Sequence, residues 1–329
     1  MTAYAFDGSA FKPLAWQTPR TLRWAAWRPD GAVLLAVGNA GSVLLSDGGE
    51  RIQLLDSGSK QNLRGAAWSP DGRTALLAGN RGAVLRLRRE VIDELPAVTA
   101  ENLRRVAWHP SGEYALVVGN AGTVLRYDAG SAALQPLPGD RAHTLRSVAF
   151  RPDGEYALVG AYASRYAGYP RPQPLYRCDG RYLQAALATD DEDDFVSIDW
   201  LAAGVPGVSP GSSAGVPGVS PGFQHRALVC GYAWRPDGSL VNKALLFDGA
   251  GWQTHVWPAP SVVLGGAWRP GTEEALLVGE GGLALRLQCD GSIEPLKSGS
   301  QDNLVGPFWK PDGSWALVLK GPSERVYTV

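Results

Sequence analysis

The chain repeats itself, and no other feature limits its possible folds as strongly. LRWAAWRPDG ends at Gly31, LRGAAWSPDG at Gly72, LRRVAWHPSG at Gly112 and LRSVAFRPDG at Gly154. Later copies, VVLGGAWRPG and LVGPFWKPDG, end at Gly271 and Gly313, and a weaker one, FVSIDW, ends at Trp200. The aromatic anchors Trp27, Trp68, Trp108, Phe150, Trp200, Trp268 and Trp309 are spaced by 41, 40, 42, 50, 68 and 41 residues, which makes seven units. A regular period of this size describes one supersecondary module laid against copies of itself, because a single copy cannot bury its apolar face alone. A length of 329 residues suggests two domains, but the repeat argues for one array.

Within each unit the anchor is followed by a Pro-Asp-Gly type of turn, an apolar run such as TALLAG, a Gly-Asn-x-Gly turn, a VLRL segment and a last short strand. Alternating apolar residues bounded by turn residues read as strands, four to a unit. Gly (41) and Pro (24) make up about a fifth of the chain, too much for a helical bundle, since both weaken helix interiors. The expected fold is all-β: a seven-bladed β-propeller of four-stranded antiparallel blades starting near residues 22, 63, 103, 145, 195, 263 and 304. From Trp309 through the C-terminus and on from Met1 to Trp27 there are 47 residues, close to one period. Leu14 precedes Leu22 by eight residues, as Leu95 precedes Leu103, Leu137 precedes Leu145 and Leu296 precedes Leu304. Residues 1–21 are therefore expected to complete the last blade, with its outer strand at 11–15, so that N- and C-terminal strands close the ring of a single domain, 1–329. Both Tyr4–Phe6 and Arg325–Val329 suit the third strand of that blade, and only one can occupy it.

The inner-strand pattern L-x-x-x-A-W-x-P-D-G resembles the V-x-x-V-x-F-S-P-D-G of the WD40 repeat family across nearly the whole chain. The family's aspartate at the end of the third strand is matched by Asp47, Asp128, Asp179, Asp248 and Asp290. The Trp of its dipeptide is replaced by Ser46, Tyr127, Cys178, Phe247 and Cys289, and the Gly-His pair before each blade is missing, so the family's buried tetrad is not carried over. The resemblance implies a rigid, non-catalytic scaffold that presents loops to a peptide or protein.

Two insertions interrupt the period. Residues 203–222 contain two copies of AGVPGVSPG with no charge and no aromatic residue, and read as a flexible Gly/Pro/Ser/Val-rich loop in blade five, either dispensable or a tether. Trp234 in GYAWRPDG imitates an anchor, but residues 201–223 offer no strand to complete an eighth blade, so Trp234 and Arg235 are placed in the loop between the second and third strands of blade five. The matching loop of blade four carries Tyr162, Arg165, Tyr166, Tyr169 and Arg171. Both loops are expected side by side on the top face, the face where the first strands begin. Tyr and Arg suit binding hot spots, while packing of the loop onto its own blade is the plainer reading.

Four residues before the anchor the first four units carry Arg23, Arg64, Arg104 and Arg146, whereas the rest carry Val196, Leu264 and Val305. These arginines are expected to form a basic arc on the rim. It reflects either duplication with pairing to a neighbour or a site for an acidic segment or anion. The run TDDEDD, with Asp190–Asp194, lacks the spacing of an EF-hand loop and reads as a solvated acidic turn between blades four and five. His109, His143, His225 and His255 fall at unrelated positions, and Cys178, Cys230 and Cys289 show no zinc spacing and are placed on strands. No catalytic constellation, metal site or cofactor is expected.

With 31 Lys plus Arg against 32 Asp plus Glu, the chain lacks the charge excess of a general nucleic-acid binder. No apolar stretch is long enough to span a membrane, and the odd cysteine count suits a reducing, cytoplasmic setting. The leading expectation is a protein- or peptide-binding scaffold using Arg23, Arg64, Arg104, Arg146, Tyr162, Arg165, Tyr166, Tyr169, Trp234 and Arg235, its partner carrying an acidic segment. Two alternatives stand beside it: a small-ligand or carbohydrate binder or lyase using the central channel, and a regulatory module of a bacterial multiprotein defence or assembly system.

Overall fold

The computed structural model describes residues 3–49, 51–138, 143–162, 175–187, 192–201 and 225–321. These form an all-β structure made of antiparallel sheets in which strands adjacent in sequence pair. β1 (Ala3–Phe6) and β2 (Phe11–Leu14) come first. The first complete sheet is β3 (Leu22–Trp27), β4 (Leu34–Gly38), β5 (Val43–Ser46) and β6 (Ile52–Leu55). The next is β7 (Leu63–Trp68), β8 (Ala75–Gly79), β9 (Val84–Arg88) and β10 (Val91–Glu94). The third is β11 (Leu103–Trp108), β12 (Tyr114–Gly119), β13 (Val124–Asp128) and β14 (Leu134–Pro136).

β15 (Thr144–Phe150), β16 (Ala157–Tyr162), β17 (Leu175–Cys178) and β18 (Leu183–Leu187) make the fourth unit. β19 (Glu192–Leu201), β20 (Arg226–Trp234), β21 (Leu240–Phe247) and β22 (Trp252–Pro258) make the fifth. A single pairing of Tyr162 with Asp194 joins these two units into one eight-stranded sheet. The sixth unit is β23 (Val263–Trp268), β24 (Glu274–Gly279), β25 (Ala284–Gln288) and β26 (Ile293–Pro295). Last come β27 (Leu304–Trp309) and β28 (Ala316–Lys320), completed in the order β27-β28-β1-β2. The N-terminal segment thus takes the third place: Ala3 pairs Leu319 and Phe6 pairs Ala316. Of the two segments suited to that place, Arg325–Val329 lies outside the described residues.

The anchors end the first strands, and the core lies between neighbouring sheets. Leu35, Val37 and Leu45 of the first sheet pack on Leu63, Ala66 and Leu77 of the second. Tyr114, Leu116 and Val118 of the third meet Val148, Phe150 and Val159 of the fourth. Phe6 and Val318 of the last meet Leu276 and Val278 of the sixth. Ala3, Phe308 and Leu317 of that last sheet also meet Leu22, Ala25 and Leu34 of the first. Contacts between first strands run β3-β7-β11-β15-β19-β23-β27 and return from β27 to β3. Anchor indoles tie this sequence: Trp27, Trp108 and Trp200 donate to the carbonyls of Phe308, Ala67 and Ala149, in each case on the first strand of the preceding unit.

Two placements differ from the sequence reading. Trp234 is not in a loop but ends β20, paired with Leu240, because β20 and β21 run longer than their counterparts. Cys289 lies just beyond β25 in a turn, whereas Cys178 and Cys230 are on strands as expected, and all three are unpaired. The inserted segment 203–222 lies outside the described residues. Among the described residues no helix is long and apolar enough to cross a membrane.

Candidate functional site

Every first strand has a register irregularity near its start. In the first four units it falls at the arginine of the repeat: the pairing skips Arg23, Arg64, Arg104 and Arg146. A bulge of this kind re-aims the extra residue's side chain, here toward the turn that follows the second strand. Arg23 Nε donates to Asn39 Oδ1, Arg64 Nε to Asn80 Oδ1 at 2.6 Å and Arg104 Nε to Asn120 Oδ1 at 2.9 Å. In the fourth unit Tyr162 stands where the others have Asn, and the Arg146 guanidinium lies 4.7 Å from its ring centre. Arg23, Arg64 and Arg104 are thus held by a turn of their own sheet and Arg146 by the last residue of β16, at the end of the sheets where the first strands begin.

The arginines lie close enough to repel one another. Burial, reinforced by Arg104, Arg23 and Arg146, pushes the Arg64 guanidinium down to about 10, so it stays cationic at neutral pH. Arg105, which the sequence reading passed over, joins them. Burial holds it well below the ordinary arginine value, and Arg146, Arg104 and Arg64 add to the effect.

The turns below these arginines are clamped by a second asparagine. Ala40 and Arg81 adopt left-handed backbone, with φ of 50° and 54°, and their N–H groups donate to Asn62 Oδ1 and Asn102 Oδ1 of the next unit. Asn303 does the same for Gly281. The signal was in the sequence as the Asn before Leu63, Leu103 and Leu304.

At the same end of the strands the fifth and sixth units carry buried acidic residues. β19, β20 and β21 are 10, 9 and 8 residues long and extend beyond the ends of the other sheets' strands. The acidic run is not a solvated turn here: Glu192, Asp193 and Asp194 begin β19, and Asp193 is 0% exposed. Lys243 Nζ lies 2.9 Å from Asp193 Oδ1, with the lysine itself buried. Lys243 faces Gly231 across β20, and Asp193 faces Ala233 on the same side, so two small residues leave the lysine a lane to cross. Asp194 adds to burial in raising the Tyr232 hydroxyl well above its ordinary value. In the sixth unit Glu280, also buried, occupies the position of the arginine-binding asparagines.

Of the residues expected to bind, Arg23, Arg64, Arg104, Arg146 and Tyr162 are brought to the end of the sheets where the first strands begin. Trp234 reaches the same end through the longer β20, and Arg235 begins the turn after it, whose closing bond runs from Arg235 N–H to the Ser239 carbonyl. Arg165, Tyr166, Tyr169 and Arg171 lie outside the described residues, as do Asp190 and Asp191. No group of three metal-ligating side chains occurs among the described residues. The aspartates that carry the WD40 resemblance act locally: Asp47, Asp128, Asp179, Asp248 and Asp290 accept N–H groups of the turns that follow them.

At the opposite end of β19, Asp199 Oδ2 accepts the Trp268 N–H at 2.7 Å. Burial overrides this bond and pushes the carboxyl up to about 6. A carboxyl that binds its proton more tightly when folded adds stability below the unfolded value near 4, and that contribution is lost as pH rises through 6. Asp199→Asn is expected to stabilise the protein at pH 8 by up to about 2 kcal/mol, with no gain at pH 4. Urea midpoints at the two pH values measure this, and an equal difference at both would contradict it.

Compared with models of protein families and with curated proteins, the sequence matches none.

Proposed function

We propose that the seven four-stranded units are the blades of a closed β-propeller, a WD40-like one, and that its top face is a non-catalytic docking platform for a protein or peptide with an acidic segment. The ring reading is supported by the return of first-strand contacts from β27 to β3 and by the apolar cluster that spans the last and first sheets. The observation that carries the binding reading is the arc of Arg23, Arg64, Arg104 and Arg146, each bulged out of its strand and held at its tip by Asn or Tyr. Fixing a guanidinium before a partner arrives lowers the ordering cost of binding. The arc lies over units one to four, and the fifth to seventh units carry Val196, Leu264 and Val305 at the corresponding positions, so an acidic segment is directed over units one to four. Cytoplasmic residence belongs to the same reading, supported by three unpaired cysteines.

Affinity capture with the wild-type chain and with the Arg64→Ala/Arg104→Ala variant, each at low and high salt, tests this. Capture by the wild type is expected to weaken with salt, and the variant is expected to lose most of the captured protein at low salt. Equal capture by both would defeat the platform reading.

A further inference from the structure

Arg105 has no counterpart in the other units, where its position is held by Trp24, Gly65, Ser147, Ser197, Gly265 and Gly306. Its Nη1 donates to the carbonyls of Arg64 at 2.6 Å and Arg104 at 2.9 Å, and its guanidinium carbon lies 3.7 Å from the centre of the Trp24 ring. β7 separates β11 from β3, so the side chain crosses the space between the first strands to reach Trp24. Gly65 lets β7 and β11 approach closely here: a Cβ there would come within 2.7 Å of the Arg104 carbonyl oxygen and 2.8 Å of the Arg105 Cα.

The two carbonyls occupy only Nη1, while Nε is buried with no hydrogen-bond partner. A buried cation is costly unless a negative group answers it. Among the described residues no carboxylate pairs with Arg64, Arg105 or Arg146, whose partners are Asn80, backbone carbonyls, Trp24 and Tyr162. No negative neighbour opposes the burial and mutual repulsion that depress Arg64 and Arg105. Among the described residues, Arg64, Arg105 and Arg146 thus gather positive charge at one place with no carboxylate paired to them.

We propose that Arg64, Arg105 and Arg146, flanked by Arg23 and Arg104, receive one phosphoryl group at the head of the space between the first strands. A carboxylate brings one charge, whereas a phosphoryl group brings close to two and three acceptor oxygens for several guanidiniums at once. Planar guanidiniums bind such oxygens in pairs, which lysine cannot do. This deepens the platform reading and rests on it only for the source of the group, either a phosphorylated side chain of the docked partner or a free phosphate compound.

Calorimetric titration of the full chain at low salt, with inorganic pyrophosphate and with a phosphoserine peptide beside its unphosphorylated form, tests the proposal. At least one phosphorylated probe is expected to bind, and Arg64→Gln and Arg105→Gln are each expected to weaken it at least tenfold. Pyrophosphate binding alone assigns a free compound, and phosphopeptide binding assigns a modified partner. Should Arg105→Gln fail to fold, as circular dichroism would show, Arg64→Gln decides, since its side chain crosses no strand. Absence of binding by both probes, or affinity unchanged in the folded variants, overturns the proposal. Salt-sensitive capture that survives without phosphate binding overturns this inference and leaves the platform standing, and phosphate binding with no partner captured does the reverse.

Discussion

A chain lacking residues 1–15 is expected to lose more than 5 kcal/mol of stability, enough to bring its urea midpoint close to zero or to prevent recovery of folded protein. Those residues supply β1, which lies between β28 and β2 with pairings from Ala3–Leu319 to Phe6–Ala316. Phe6 is buried against Leu276, Val278 and Val318 and lies 6.0 Å, ring to ring, from Trp309. Truncating a buried Phe alone costs about 3–5 kcal/mol. Deletion also strips the hydrogen-bonding edge of β28 and frees Trp16, whose indole donates to the Gly49 carbonyl across the join to the first sheet. An uncovered edge strand of this kind pairs with other chains, so aggregation is expected as well. Phe6→Ala provides the graded control. A deletion variant with the midpoint of the full chain would remove β1 from the account of this sheet.

The second large effect is expected at the Asp193–Lys243 pair. Both side chains are almost fully buried, at 1% and 5% exposure, so removing one leaves the other's charge inside the protein. Breaking such a pair costs about 3–5 kcal/mol, whereas replacing both members by apolar residues is often neutral. Asp193→Leu and Lys243→Met are each expected to destabilise by about that amount, and the double variant to recover most of it. Additive losses in a denaturation cycle would show that the two charges do not depend on each other. Because this pair joins β19 to β21 across β20, the single variants are also expected to loosen these strands beside Asp194 and Tyr232.

The repeat made most of this architecture legible. The anchors located six of the seven first strands to within a residue, because an aromatic at an inter-sheet position leaves a period that substitutions between Trp and Phe do not hide, whereas β19 begins at Glu192, three residues before its expected start. The 47 residues across the termini pointed to β2, and pairing decided which segment stands beside β28. The arginine positions were legible for the same reason, but their partners were not. A bulge is a property of pairing, and nothing in L-R-x-x-A-W says that the arginine turns back to its own Asn. The acidic run was misread because isolated composition favours solvent, while its burial depends on Lys243, some fifty residues away and across a strand whose Gly231 and Ala233 leave room. Arg105 was missed because it departs from the repeat, and comparison by period favours what recurs.

The pairing of β1 with β28 also decides how the molecule meets force. The strands are antiparallel, and Ala3, where β1 starts, faces Leu319 near the end of β28. The start of β1 and the end of β28 therefore lie side by side at the same end of the same sheet. Tension applied through the two flanking segments loads the ladder between them one rung at a time, as in opening a zipper, rather than all rungs together. The ladder between β1 and β28 is therefore expected to yield at a smaller pull than one loaded across all its rungs at once.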